Sequence, residues 1–279
     1  MIVREWTWAS QDGLEMYARS WAPEENAKAV VCLVHGLGEH SSRYAHVGQA
    51  FSDAGFALVA FDLRGHGKSG GQRGHFPSLE AVMGDIHEHI RQGSEQFPGL
   101  PVFLYGHSLG GLLVLNYATY HEHDLHGVIA TGAGLRSPVL EQKGKVALSK
   151  VMGGLLPTMT IPTGLDADGI SHDRELVRAY KEDPLVHDVA TLSTARIGMN
   201  AVDRAFAHAA EFPVPLLLMH GTADPVTYAR GSQEFAALVP DRSTLKLWDG
   251  LYHEIHNEPE QRDVFDFMIE WMNTQLRNI

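Results

Sequence analysis

The chain has 279 residues, of which 44% are hydrophobic and 20% are charged, as is usual for one globular domain that carries at most an insertion. Its formal net charge of −12 disfavours nucleic acid as a partner. We expect neither a signal peptide nor a membrane span, because charges interrupt the N-terminal residues and no run approaches the roughly 20 apolar residues of a transmembrane helix.

The first sixty residues predict a hairpin followed by two buried strands. Residues 2–9 and 14–21 alternate apolar and polar side chains around Asp12-Gly13, a pattern typical of an antiparallel hairpin at the edge of a sheet. Residues 30–34 and 56–61 are continuous apolar runs, which indicate parallel strands that are covered on both faces.

The strand at residues 30–34 holds Cys32, the only cysteine in the chain. We expect it to be a small buried hydrophobe and not a nucleophile. A single cysteine excludes an internal disulfide, and this is the basis for expecting a cytoplasmic location. After this strand, Ser41 or Ser42 is expected to cap a helix that ends near residue 54.

Residues 62–77 are rich in glycine and contain two patterns that resemble nucleotide-binding motifs. Residues 65–70 match G-x-G-x-x-G, and Gly-Lys-Ser follows within them. Neither pattern opens a helix, as a phosphate site requires, because the next helix begins near Ser78. We expect instead a long turn that places Asp62 and Arg64 near the rim of an active site.

Residues 102–118 carry the most specific functional motif. A short apolar strand leads into Gly-His-Ser-Leu-Gly, a match to G-x-S-x-G, and an apolar helix follows. This pattern places Ser108 on a sharp strand-to-helix turn with a strained backbone and an exposed hydroxyl. Gly106 and Gly110 leave room for the turn, and the helix N-terminus supplies N–H groups for a developing oxyanion. We therefore predict that Ser108 is a nucleophile.

The regular order of strand and helix stops after a buried strand at residues 127–131, is absent from Gly132 to about residue 200, and resumes with a strand at 215–219. The stretch between is too long for a loop, so we expect a helical cap, or lid, at 133–200, inserted into a core formed by 1–132 and 201–279. Its apolar residues either pack on the core or line a channel, and both interpretations stay open. The fold class is α/β, with about eight strands in a mostly parallel sheet and helices on both faces.

A serine is a poor nucleophile alone and needs a base and an acid on neighbouring loops. Asp224 lies at the tip of the loop after one late strand, and His253 lies at the tip of the loop after the next. The order serine, acid, histidine is one of the known orders for such triads. Asp249 is the rival acid, but it lies only four residues before His253 and is not expected to turn back to it.

An oxyanion intermediate needs two backbone N–H donors. Leu109, which follows the nucleophile, is expected to supply one of them. The loop after the strand at 30–34 is expected to supply the other, and we choose Leu37 because Gly36 and Gly38 flank it and let its amide turn inward.

No metal site is expected, although the chain has 17 histidines. His253 and His256 are one residue too close together for the H-E-x-x-H zinc motif, and cysteine pairs are lacking. Hydrolysis by an activated serine needs no cofactor, so we predict none.

Four segments together resemble the monoacylglycerol lipases, also known as lysophospholipases, of the α/β-hydrolase superfamily. They are residues 35–44 (HGLGEHSSRY), 62–69 (DLRGHGKS), 106–111 (GHSLGG) and 180–185 (YKEDPL). The resemblance extends from about residue 15 to the final helix. It implies the α/β-hydrolase fold with a cap, and it implies the triad Ser108, Asp224 and His253.

The resemblance also implies a substrate and its contacts. Arg43, His107 and Tyr180 match family positions near the glycerol end of the substrate. Thr227 stands where the family has a cysteine, so inhibition by thiol reagents is not expected. The implied reaction is hydrolysis of fatty acyl esters of a small polar alcohol, foremost monoacylglycerol, and we expect the cap to contact a membrane or micelle surface transiently.

Other functions stay open at this point. A lysophospholipase or a broad carboxylesterase would use the same residues with a different pocket. A peptidase is less favoured, because the cap shows no acidic cluster for a free amine, and a remoter alternative is a small-molecule receptor that retains a triad without catalysis. The sequence leaves acyl-chain length, positional preference and oligomeric state open.

Overall fold

A computed structural model describes residues 1–120 and 124–277, with backbone only for residues 143, 145, 146 and 148. Within these ranges eight strands form one sheet in the order β1-β2-β4-β3-β5-β6-β9-β10. The strands are β1 Ile2–Ala9, β2 Glu15–Ala22, β3 Ala29–Val34, β4 Phe56–Phe61, β5 Val102–His107, β6 Leu125–Thr131, β9 Leu216–Gly221 and β10 Ser243–Trp248, with a separate antiparallel pair of β7 Thr160–Pro162 and β8 Val189–Thr191.

Helices cover both faces of the sheet. They are α1 Ala45–Asp53, α2 Leu79–Gln96, α3 Leu109–Ala118, α4 Pro138–Glu141, α5 Lys143–Leu155, α6 Arg174–Glu182, α7 Leu192–Ala207, α8 Ala229–Leu238 and α9 Gln261–Arg277. None of the helices in the described ranges is both long enough and apolar enough to span a bilayer.

The sheet is antiparallel only at its N-terminal edge. β1 pairs antiparallel with β2, and β2 pairs antiparallel with β4, whereas β3 to β6, β9 and β10 run parallel. The predicted fold class is confirmed. In parallel strands all the carboxyl ends meet at one edge, so the loops that follow β3, β5, β9 and β10 come together there.

The core has two layers, one on each face of the sheet. Side chains alternate along β3, so Val30 and Cys32 face the layer under α2, α3 and α8, while Val31 and Leu33 face the layer under α1 and α9. This two-sided burial explains why the parallel strands are continuous apolar runs. Cys32 is buried as expected, and burial raises the pKa of its thiol to about 12, so it is unreactive.

The chain between β6 and β9 carries α4 to α7 and the small β7–β8 pair. α5 packs on α7, and α7 in turn packs on α3 of the core. α7 runs without interruption through residue 200, which is the predicted end of the cap. The division into a core and a cap at 133–200 stays a prediction.

Two local predictions are wrong. Residues 41–44 form a 3-10 turn, and α1 begins only at Ala45, because the Ser41 amide donates to Asp62 and the Ser42 hydroxyl bonds to His40 instead of capping a helix. Arg64 is buried against Asp85 and Asp12, with nitrogen–oxygen distances of 2.6 and 2.9 Å, so it ties the loop to α2 and the hairpin instead of facing a rim.

Candidate active site

Ser108 lies on the turn between β5 and α3 with φ 55° and ψ −116°. Among the described residues it is the only non-glycine with a positive φ, which is the strain that the motif predicts. The turn is tight enough to require its glycines. A Cβ on Gly106 would lie 2.3 Å from the Gly110 carbonyl oxygen, and one on Gly110 would lie 2.0 Å from the Val34 oxygen.

The structure brings Ser108, His253 and Asp224 into one hydrogen-bonded chain. His253 Nε2 lies 2.8 Å from Ser108 Oγ, and His253 Nδ1 lies 2.7 Å from Asp224 Oδ2. Asp224 and His253 follow the neighbouring parallel strands β9 and β10, so both reach the same sheet edge as the serine. The rival acid Asp249 points elsewhere and accepts a hydrogen bond from Thr222.

The electrostatics of the pair favour an ionised acid and a basic histidine. Burial raises the pKa of Asp224, but the charge of His253 and hydrogen bonds from His220 and His253 outweigh it, so the net shift is downward. Burial lowers the pKa of His253, but the charge and hydrogen bond of Asp224 outweigh it, so the net shift is upward. An ionised Asp224 can only accept, so Nδ1 of His253 carries the proton and Nε2 is free to accept from Ser108.

The loop that carries Asp224 is held by several hydrogen bonds, and two of the residues that bind Asp224, His220 and Thr227, were not predicted from the sequence to do so. The amides of Val226 and Thr227 donate to Asp224 Oδ1 at 2.8 and 2.9 Å. The Thr227 hydroxyl donates to Oδ2 at 2.9 Å, and His220 Nε2 lies 3.0 Å from the same oxygen. His220 and Thr227 lie four residues before and three after Asp224. This closeness to Asp224 in the sequence is the signal that could have identified them as its partners.

The two candidate oxyanion donors lie beside the serine. Leu37 lines a small cavity together with Ser108, and Leu109 is the first residue of α3, where amide N–H groups have no partner within the helix. Glu39 fixes the loop of Leu37 by accepting from the Gly36 amide at 2.7 Å. The assignment of Leu37 and Leu109 as oxyanion donors stays a prediction.

Arg43 lies between two buried carboxylates. Its guanidinium donates to Glu39 at 2.7 Å and to Glu254 at 2.8 and 2.7 Å. Burial raises the pKa of Glu39, but Arg43 and nearby histidines outweigh this and bring it to about 2. The guanidinium also lies 4.6 Å from the centre of the Tyr180 ring. Of the residues predicted for the glycerol end, Arg43 and Tyr180 are thus in contact with each other. Arg43 also binds Glu39 and Glu254, the two acids that line the cavity.

His107 is buried next to His253. Its Nδ1 lies 3.1 Å from Thr131 Oγ1, and its ring centre lies 4.8 Å from that of His253 and 4.7 Å from that of His256. Burial, followed by the charge of His253, lowers the pKa of His107 to about 4. His107 is therefore neutral at pH 7 and contributes hydrogen-bonding capacity without charge.

One group of side chains has the composition of a metal site. In the described part of the chain, ligand atoms of Glu39, His107 and Glu254 lie within 4.8 Å of one another. The guanidinium of Arg43 already forms ion pairs with both carboxylates, so a divalent cation would have to displace it.

The cavity at the serine measures about 20 Å³, which is room for about one water molecule. Its walls are formed by Gly36, Leu37, Glu39, His107, Ser108, Leu165, Ala167, Ile170, Tyr180, Val226, His253 and Glu254. The wall therefore combines the carboxyl edge of the sheet with residues 165–180, which lie between β6 and β9.

Comparisons with known proteins agree with this geometry. Residues 25–260 match the model of the family described as Serine aminopeptidase, S33. The monoacylglycerol lipase of Mycolicibacterium smegmatis is 36% identical, with 98% of each chain covered, and the human monoglyceride lipase is 31% identical over 94% of this chain and 88% of its own. An uncharacterized abhydrolase domain-containing protein of Dictyostelium discoideum is 38% identical over 93% of this chain, which spans only 28% of that longer protein.

A solved structure of a monoacylglycerol lipase from Paleococcus ferrophilus superposes with a TM-score of 0.83 at 34% identity, covering 99% of this chain and 100% of that one. The family match extends over most of the chain, and the mycobacterial relative is aligned over nearly its whole length. The chain therefore belongs to the family described as Serine aminopeptidase, S33, and it is a serine hydrolase of the α/β-hydrolase fold.

Proposed function

We propose that this enzyme hydrolyses monoacylglycerols to a fatty acid and glycerol. The observation that carries the proposal is the hydrogen-bonded chain from Ser108 through His253 to Asp224, in a protein whose relatives are named monoacylglycerol lipases. A serine, a histidine and an acid in this order of contact are sufficient for acyl transfer without a metal or cofactor.

Ser108 attacks the ester carbonyl while His253 Nε2 takes its proton. The amides of Leu37 and Leu109 stabilise the oxyanion, and Asp224 stabilises the imidazolium that forms. His253 then returns the proton to the glycerol oxygen, which leaves, and the acyl group stays on Ser108. A water molecule, deprotonated by His253, hydrolyses this ester and releases the fatty acid.

The alcohol end of the cavity suits a neutral polyol. Two carboxylates, Glu39 and Glu254, share the single guanidinium of Arg43, which leaves an excess of one negative charge, and His107 is neutral. Among the described residues that line the cavity there is no lysine or arginine to bind a phosphate. Lysophospholipids would bring a phosphate against this negative charge, so glycerol hydroxyls are favoured.

The family description names an aminopeptidase, and the same negative charge would attract the ammonium group of a peptide. Most of the acceptor capacity of Glu39 is already used, however. One oxygen accepts from the Gly36 amide and the Tyr44 hydroxyl, and the other accepts from Arg43. Peptide hydrolysis is therefore the weaker candidate, and it is tested alongside the esters below.

The acyl chain needs more room than the cavity provides, so we propose that residues 133–200 act as a cap that moves. Large apolar side chains are exposed on this segment, among them Leu155 at 70% and Val151 at 61%, together with Leu156, Met159 and Leu165. An exposed group of this kind is typical of a surface that contacts a membrane or micelle. Location in the cytoplasm stays a prediction that cell fractionation would test.

The direct test compares kcat/KM for mono-, di- and triacylglycerols of equal chain length, each below its aggregation concentration. A second acyl chain would leave the polar groups around the glycerol site unpaired, at roughly 1–3 kcal/mol each. We expect kcat/KM for di- and triacylglycerol to be at least about tenfold lower. Comparable values would favour a broad lipase or esterase.

The same assay tests the charge argument with a lysophosphatidic acid of that chain length and an amino-acid p-nitroanilide. Both are expected to be poor substrates. Glu254→Gln should raise kcat/KM for lysophosphatidic acid relative to monoacylglycerol, because it removes the excess negative charge. The exposed Glu260 serves as control, since Glu260→Gln should leave that ratio unchanged. A ratio that Glu254→Gln does not move would refute the charge argument, and rapid anilide hydrolysis would favour the peptidase.

A further inference from the structure

His220 is a buried histidine whose side chain reaches the triad from behind. It is the fifth residue of β9, and the alternation of side chains places it on the same face as Leu216 and Leu218. α8 covers this face, where Phe235 packs in the same core layer. A polar ring in this position is fully buried and needs hydrogen-bond partners.

Both ring nitrogens of His220 have partners. Nδ1 lies 2.8 Å from Ser232 Oγ on α8, and Nε2 lies 3.0 Å from Asp224 Oδ2 and 3.1 Å from the carbonyl oxygen of Thr227. Because the ionised Asp224 has no proton to donate, Nε2 of His220 must carry the hydrogen. Nδ1 of the neutral ring then accepts from the Ser232 hydroxyl.

Asp224 Oδ2 therefore lies between two imidazoles, with His253 at 2.7 Å and His220 at 3.0 Å. A hydrogen bond donated to a carboxylate stabilises its charge and makes it a weaker partner for a second donor. The strength with which Asp224 raises the basicity of His253 thus depends on the proton that His220 donates.

We propose that His220, oriented by Ser232, is a positioning residue for the hydrolysis: it fixes the carboxylate of Asp224 and moderates the basicity of His253. This proposal rests on the proposed triad, which Ser108→Ala tests separately. His220 acts through Asp224 and does not contact Ser108. The other titratable groups that face His253 are Glu254, Glu39, His107 and His256, and all of them are retained in the variants below.

The test uses His220→Leu, which removes the donor, and His220→Gln, whose amide can still donate near the position of Nε2. For His220→Leu we expect kcat on p-nitrophenyl butyrate to fall about 10- to 100-fold with KM nearly unchanged, because the acid loses its alignment. We also expect the acid limb of kcat/KM to move upward by about 0.5 pH unit, because the carboxylate becomes more basic. His220→Gln should restore most of the wild-type kcat and most of the wild-type position of the acid limb.

Ser232→Ala gives a second readout that does not depend on the folding of His220→Leu. It should shift the acid limb in the same direction by a smaller amount, and the Nδ1 proton resonance of His253 should move downfield in both variants. His89 is the matched control, since it is equally buried on α2 against Phe61. His89→Leu should leave the pH profile unchanged.

The proposal is wrong if folded His220→Leu keeps the wild-type acid limb, or if only its thermal stability changes. It is also wrong if His220→Leu does not fold and Ser232→Ala leaves both the acid limb and the proton resonance in place. Loss of all activity in His220→Gln together with normal activity in Ser108→Ala would refute the proposed triad itself. This result differs from those that refute only the role of His220.

Discussion

At the scale of single residues, the protonation state of His253 decides when the proposed reaction proceeds. The charge of Asp224 raises the pKa of His253 above its usual 6.5 despite burial. Only the neutral imidazole can accept the proton of Ser108, so activity is lost as the pH falls through this raised pKa. The pH dependence of kcat/KM on a neutral ester should therefore show an acid limb above 6.5.

Asp224→Asn tests the source of that shift. The amide cannot hold the proton on Nδ1 of His253, so kcat should fall by about 10⁴ and the acid limb should move below its wild-type position. Asp249 is the matched control, because it lies on the loop of His253 but bonds to Thr222. If Asp249→Asn has the larger effect, Asp249 is the acid.

The three residues that the sequence predicts for the triad share one property, which is that each lies in a short local pattern. Ser108 lies in the elbow motif, while Asp224 and His253 lie at loop tips after recognisable strands. Glu254 was not predicted because its partner Arg43 is 211 residues away, and no local pattern records that contact. The sequence shows the glycines that flank Leu37, but it does not show that Glu39 fixes this loop through the Gly36 amide.

At the scale of elements, the loop after β10 presents two histidines, and only one reaches the serine. His253 Nε2 lies 2.8 Å from Ser108 Oγ, whereas His256 stacks on Tyr44 with ring centres 5.0 Å apart. His253→Ala should therefore abolish turnover as Ser108→Ala does, while His256→Ala should retain most of kcat. Steady-state kinetics on p-nitrophenyl butyrate would show this, and the reverse result would mean that His256 is the base.

The glycine-rich segment after β4 has a structural role that a stability measurement can test. Gly74 has φ +65°, and a Cβ there would lie 2.2 Å from the carbonyl oxygen of Val189, the first residue of β8. Gly99 has a similar φ of +76° with nothing within 4 Å. Both alanine variants have the backbone strain, about 1–3 kcal/mol, but only Gly74→Ala adds the collision. Thermal unfolding should show a larger loss of Tm for Gly74→Ala, and equal losses would contradict this contact.

The elements that the sequence predicts best are those whose burial is uniform. Strands such as β3 and β4 are apolar throughout because helices cover both faces, and they were predicted within a residue of their bounds. Elements that depend on distant partners were not predictable. The three-residue strands β7 and β8 have no pattern of their own, and the turn at 41–44 follows from the hydrogen bond between Ser41 and Asp62.

At the scale of the whole molecule, the parallel sheet gathers the functional loops at one edge. The loops after β3, β5 and β10 place Leu37, Ser108 and His253 around one cavity of about 20 Å³. The loop after β9 places Asp224 behind His253, where the two side chains are hydrogen-bonded. Residues between β6 and β9 close this cavity from the other side. The position of the proposed triad thus follows from the topology, while access to it depends on the proposed cap.

The central claim is that Ser108 is the nucleophile, and labelling with a fluorophosphonate tests it most directly. Intact mass and peptide mapping of the treated protein should show one adduct, located on Ser108, with loss of monoacylglycerol hydrolysis in proportion to labelling. Ser108→Ala should take up no label and should lose about 10⁶ in kcat while it keeps the wild-type fold. An adduct on another serine, or near-normal ester turnover by folded Ser108→Ala, would contradict the account.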